Sequence, residues 1–163
     1  MVHLTEERLM ENRVTSIPKG YHSLTPYLIV RDAGKAIDFY KKAFGAKEIY
    51  RMDAPGEKVS HCELEIGDSK LMLADEFPSI GAIAPGEEVS KSFSLLLYVE
   101  NVDEFFDRAI NSGAKVIRNL KDEFYGDRMG TIQDPFGHNW NVATHLEDVS
   151  PEEMRKRSDK LRQ

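Results

Sequence analysis

The sequence predicts an α+β fold in which two similar βαβββ modules form an open, cupped sheet, and three observations carry that prediction. A strand, a capping residue, an amphipathic helix and a Gly-Ala-Lys start to the next strand occur twice, from Val30-Arg31-Asp32 to Gly45-Ala46-Lys47 and from Val99-Glu100-Asn101 to Gly113-Ala114-Lys115. Period-two segments follow each helix, as a sheet built around it requires. A chain of 163 residues has room for one domain, or two half-domains sharing a sheet system, and not for two independent domains.

The first strand is expected over Leu24 to Val30, which is rich in apolar and β-branched residues, with Pro26 requiring an edge or an N–H that meets no neighbour. Asp32 can cap a helix from Ala33 to Phe44, where Ala33, Ala36, Ile37, Tyr40 and Phe44 recur at helical spacing and Gly45 supplies a left-handed stop. Strands follow at Ala46 to Arg51, Val59 to Ile66 and Lys70 to Ala74, separated by a turn at Asp53-Ala54-Pro55-Gly56 and a hairpin at Gly67-Asp68. In the middle one Cys62, Leu64 and Ile66 face one way, and His61, Glu63 and Glu65 the other. After Lys70 the Lys70 to Ala74 segment is apolar, which suits a strand covered on both faces.

Residues 76–91 carry Pro78, Gly81, Pro85 and Gly86 with little periodicity and read as a connector or a loop over the site. The second module then has a strand over Phe93 to Val99 and a helix capped by Asn101, with Val102, Phe105, Phe106 and Ala109 as its stripe and Gly113 as its end. Three more strands are expected at Lys115 to Leu120, Arg128 to Gln133 and Asn139 to Thr144, the last two joined by Asp134-Pro135-Phe136-Gly137. Ser150-Pro151-Glu152-Glu153 is a capping box that opens a surface helix to about Leu161. The expected organisation is an N-terminal arm over 1–20, a core over 21–147 with modules at 21–76 and 92–147, and a C-terminal helix within 148–163.

A net charge of -6 and the absence of a basic stripe argue against nucleic acid as a partner. Met1 to Arg13 is polar and Glu-rich, and no apolar run approaches the roughly 20 residues that cross a bilayer, so no membrane association and a cytoplasmic location are expected. Cys62 is the lone cysteine, which excludes an internal disulfide and leaves a Cys-based zinc site with too few ligands.

Strand parity places Thr25, Tyr27, Ile29, His61, Glu63, Ser94, Leu96, Tyr98 and Asn141 on the concave side, a mixed apolar and polar lining suited to a small molecule. His61 beside Glu63 is the candidate general base, since i and i+2 on a strand share a face. Tyr125-Gly126-Asp127-Arg128 adds a phenol and a guanidinium; Arg128 either grips an anionic group or belongs to a surface network with Asp127 that pins the seventh strand. Trp140 is expected to face the helix layer, and the Asp134-Pro135-Phe136-Gly137 turn is expected to be structural, with Phe136 on the core.

The duplicated plan, Ala36-Ile37-Asp38-Phe39-Tyr40 with Phe44-Gly45-Ala46, and the Asp134-Pro135-Phe136-Gly137-His138 turn together resemble the vicinal-oxygen-chelate superfamily of glyoxalases, bleomycin-resistance proteins and dioxygenases. Tyr21-His22-Ser23-Leu24-Thr25-Pro26-Tyr27-Leu28, His61-Cys62-Glu63-Leu64, Leu73-Ala74-Asp75-Glu76, Tyr125-Gly126-Asp127-Arg128 and Ala143-Thr144-His145 are similar to its PhnB-like branch. The resemblance implies a homodimer whose halves complete each other's cups. It also implies four metal-ligand positions, which fall here on Thr25, one of Leu71, Met72 or Leu73, Ser94 and Asn141, a set that does not suit a divalent cation. Metal-independent binding of a small organic molecule, with no cofactor, is therefore the expected function. Two alternatives stand beside it. One is a metal-dependent lyase, transferase or dioxygenase with a divalent ion on relocated ligands, His61, Glu63 and His145, with Asn141 and Asp75 nearby. The other is a structural dimer with a filled cup.

Overall fold

Caps and apolar stripes set the elements in the computed structural model, which describes residues 15–86 and 93–161. The first module comprises β1 (Tyr27–Val30), α1 (Ala33–Phe44), β2 (Lys47–Ala54), β3 (Lys58–Ile66) and β4 (Ser69–Asp75). The second comprises β5 (Leu95–Tyr98), α2 (Val102–Asn111), β6 (Lys115–Asp122), β7 (Asp127–Gln133) and β8 (Asn139–His145), and α3 (Pro151–Lys160) follows. Each module is a four-stranded mixed sheet, ordered β1-β4-β3-β2 and β5-β8-β7-β6. In each, the first strand lies parallel to the last and the remaining pairs are antiparallel.

The capping residues act as the sequence requires. Asp32, Asn101 and Ser150 accept through their side chains from the backbone N–H groups of Lys35, Glu104 and Glu153, and Gly45 ends α1 at a φ of 68°. Asp75, buried at the end of β4, accepts from Ala33 N at 2.9 Å and Val59 N at 2.7 Å, which ties the first turn of α1 to the sheet beneath it.

The helix-bearing faces of both sheets share one core. Leu28, Val30, Cys62, Leu64 and Leu73 contribute from the first sheet, Ile132, Trp140 and Val142 from the second. Phe44 of α1 stands 4.9 Å from the Trp140 ring and 5.0 Å from Phe105 of α2, ring centroid to centroid. Asp134 fastens the modules: its Oδ2 accepts from Tyr40 Oη at 2.6 Å and Trp140 Nε1 at 2.9 Å, while its Oδ1 accepts from the backbone N–H of Phe136 and His138. Trp140 and Phe136 thus sit where parity and turn chemistry put them, both against the core.

Several expectations are corrected. β1 begins at Tyr27, not Leu24; Leu24 is exposed, and only the carbonyl of Pro26 joins the ladder, accepting from Met72 N. β2 runs on to Ala54, because its hairpin with β3 closes between Ala54 and Lys58. β6 runs on to Asp122, opposite Arg128. β4 is not covered on both faces: Leu71 and Leu73 meet the helix, while Met72 lies on the open side. The two concave faces do not enclose a common cup within one chain, because the shared core is built from the opposite faces and leaves these open. The connector includes a 3-10 turn at Pro78–Ile80 and a bridge between Phe77 and Ala82; residues 87–92 and the first fourteen residues of the arm lie outside the described residues. Among the described residues no helix is long and apolar enough to cross a membrane.

Candidate functional site

The open face of the first sheet carries the residues that parity selects. Tyr27 pairs with Met72, Glu63 with Tyr50 and His61 with Met52, so Tyr27, Tyr50, Met52, His61 and Glu63 share that face. A hydrogen-bonded row crosses it: Tyr27 Oη lies 2.9 Å from His61 Nδ1, and His61 Nε2 lies 3.2 Å from Glu63 Oε1. Tyr21, in the segment before β1, donates its hydroxyl to the other Glu63 oxygen. That bond, helped by His61, holds the Glu63 carboxyl below the usual range, and in return the Tyr21 phenol is pushed up to about 12. Partial burial raises the Tyr27 phenol. The rings of Tyr27 and Tyr50 stand 5.5 Å and 6.2 Å from the imidazole.

The open face of the second sheet carries Leu96, Tyr98, Asp127, Met129, Thr131, Asn141 and His145. Tyr98 Oη donates to Asp127 Oδ2 at 2.7 Å, and His145 bridges Asp127 and Asp148 at 2.7 and 2.9 Å. With a carboxylate on each ring nitrogen, the imidazolium is favoured and the His145 pKa is raised, Asp127 being the larger cause. Asn141 Nδ2 donates to Ser94 Oγ at 3.0 Å and its Oδ1 accepts from Thr131. Tyr125 lies 3.8 Å from Met129 Sδ.

Arg128 is placed elsewhere. Its guanidinium forks onto Asp103 in the first turn of α2 at 2.7 and 2.8 Å and reaches Asp122 at 3.0 Å, so it braces the helix side of β7 and does not face the open side. The pinning network foreseen for Asp127 and Arg128 thus splits, with each residue pairing on its own face of the strand. Thr25 lies just before β1, in a cleft of about 420 Å³ lined also by Pro26, Lys70, Leu96 and Trp140.

Matching registers identify the fourth-strand position that the sequence left open. Tyr27 pairs with Met72 as Leu96 pairs with Asn141, so Met72 is the counterpart of Asn141. The four family positions are then a hydroxyl, a thioether, a hydroxyl and an amide: Thr25, Met72, Ser94 and Asn141. This donor set does not fit a hard or borderline divalent ion. The relocated set is not brought together within one chain either. His61 and Glu63 are on the first sheet, His145 is held by Asp127 and Asp148 on the second, and Asp75 is turned into the core. Among the described residues no three His, Cys, Asp or Glu side chains gather as a metal site.

Sequence reasoning missed Tyr21, Tyr50 and Met52 on the first face and the Asp127–His145 pair on the second. Tyr50 and Met52 were legible as alternating residues of β2, but Tyr21 reaches Glu63 through an irregular segment that has no periodicity to read.

Comparison with known proteins agrees with this architecture. The model of the Glyoxalase/Bleomycin resistance protein/Dioxygenase superfamily matches residues 20–142. An uncharacterized protein of Mycobacterium tuberculosis is 38% identical over 135 residues, which cover 81% of this chain and 79% of that one. Two solved structures, TioX from Micromonospora sp. ML1 and protein PA1353 from Pseudomonas aeruginosa, are similar with TM-scores of 0.60 and 0.61. Each is 25% identical, and each alignment covers 77% of this chain and 99% of the other.

Proposed function

This chain belongs to the glyoxalase/bleomycin resistance protein/dioxygenase superfamily, and on that premise we propose that it binds a small organic molecule without a metal ion, in a cup completed by a second copy of itself. The observation that carries the proposal is the Tyr27–His61–Glu63–Tyr21 row, a directed polar network set in an aromatic face left open to solvent. Binding sites combine an apolar wall with a few oriented polar groups, and this face has that composition. The thioether, hydroxyls and amide at Met72, Thr25, Ser94 and Asn141 support the metal-free half of the reading.

The second copy is inferred from exposure. Tyr27 and Tyr98 are 47% and 55% exposed although both lie on sheet faces, and Tyr50, Met52 and Leu96 are similarly uncovered. Exposed tyrosine, methionine and leucine on sheet faces are side chains enriched at or left uncovered for interfaces. A two-fold pair sets the first face of one chain against the second face of the other, twice, which makes two equivalent cups. We place the chain in the PhnB-like branch on the motifs His61-Cys62-Glu63-Leu64 and Tyr125-Gly126-Asp127-Arg128, with residues 21–147 as the binding unit.

The test is to replace Tyr27 or His61 by alanine and measure affinity for whatever molecule copurifies, on protein treated with a chelator. Loss of binding with unchanged far-ultraviolet dichroism is expected in both variants. Unchanged affinity in both removes this face as the site.

A further inference from the structure

We propose that the first open face selects a small organic cation, an aromatic or alkyl ammonium, over the carboxylate of the same size. This rests on the binding reading above and specifies the charge of the ligand's polar end.

The direction of the hydrogen bonds decides the matter. An ionised carboxylate can only accept, and Glu63 is kept ionised by the hydroxyl of Tyr21. The nitrogen facing Glu63, His61 Nε2, must therefore carry a proton. In a neutral imidazole the other nitrogen is then bare, so His61 Nδ1 accepts from the Tyr27 phenol 2.9 Å away. Tyr21, His61 and Tyr27 have thus each committed their proton along the row. What the row offers a ligand is lone pairs, on Tyr27 Oη and on the Glu63 carboxylate.

Along the row itself an anionic group would meet lone pairs and no free donor, and an uncompensated polar contact is costly. An ammonium supplies the missing donors and the opposite charge. The rings of Tyr27 and Tyr50, 5.5 Å and 6.2 Å from the imidazole, would add π contact to such a cation. Lys70 is committed to Glu65 and stands 5.9 Å from the Tyr21 ring, where its charge adds to the hold on Glu63, and Lys47 lies opposite Glu65 in the ladder. Glu63 is the carboxylate nearest the tyrosines, with His61 between.

The experiment is a nuclear magnetic resonance titration of the full chain at mildly alkaline pH, above the ordinary imidazole value. The probes are phenethylammonium, phenethyl alcohol and hydrocinnamate, followed at the rings of Tyr27, Tyr50 and His61. Phenethylammonium is expected to bind about tenfold more tightly than hydrocinnamate, and Glu63→Gln to shrink that preference to about twofold or less. The nitrogen shifts of His61 in the unligated protein are expected to show the proton on Nε2. Equal or tighter binding of hydrocinnamate at the same rings overturns the charge assignment while leaving the binding reading in place. A proton on Nδ1 overturns it without any ligand. If none of the three probes moves these rings, both the assignment and the site fail.

Discussion

Asp134→Asn separates the fastening of the two modules from ordinary packing. The native carboxylate is 3% exposed and accepts four hydrogen bonds, two from the β7–β8 turn and two from the core side chains of Tyr40 and Trp140. Asparagine keeps Oδ1, and with it the bonds from the N–H groups of Phe136 and His138. Its amide nitrogen replaces Oδ2. Tyr40 can rotate its hydroxyl and accept, but the indole Nε1 of Trp140 is a donor only and faces another donor at the 2.9 Å position. A buried donor left without a partner costs about 1–3 kcal/mol, and a bond to a charged acceptor contributes about 1.5–3 kcal/mol, less what is recovered by not burying a charge. The expected loss is about 3 kcal/mol. Tyr40→Phe, which removes one bond only, is expected to cost about 1.5–2 kcal/mol. Urea unfolding read by the emission of Trp140, the single tryptophan, measures both. With a slope of about 2 kcal/mol/M, the asparagine variant unfolds about 1.5 M earlier at unchanged slope. A loss no larger than that of Tyr40→Phe refutes Asp134 as the fastening.

Gly126→Ala puts a Cβ 2.1 Å from the carbonyl oxygen of Glu147 at a φ of 102°, so it should cost about 2 kcal/mol or more and release α3, seen as faster amide exchange from Leu146 onward. Gly130→Ala, on the helix side of β7, brings a Cβ to 2.8 Å from Phe106 and should cost about 1–3 kcal/mol by overpacking in the same urea assay. His145 has a raised pKa, so its tether between Asp127 and Asp148 is complete below the ordinary imidazole value and is lost as pH rises through the raised one. Protection of the Leu146 and Glu147 amides, both bonded to Gly126 O, should therefore step down across that interval after correction for intrinsic exchange, and His145→Gln should abolish the step.

The repeated grammar was legible because each half carries its own caps and stripe; Asp32, Gly45, Asn101 and Ser150 act locally, and local chemistry can be read from neighbours in sequence. Parity likewise put His61 and Glu63 on one face and Trp140 on the other. What escaped depends on distant partners. The arrangement of the sheets is set by Phe44 against Trp140 and Tyr40 against Asp134, and the sequence does not say that the helices, and not the concave faces, meet within one chain. Arg128 looked available for an anion because its partners, Asp103 and Asp122, come from a helix start and a neighbouring strand end. Asp75 looked available for a metal because two backbone N–H groups that claim it leave no trace in composition.

Native mass spectrometry of untagged, chelator-treated protein is the most direct trial of metal-free binding between paired chains. The expected species is a dimer that carries a small organic adduct and no divalent ion, and that loses the adduct on His61→Ala. A monomer retaining the adduct, or a dimer whose adduct departs together with a chelatable metal, contradicts it.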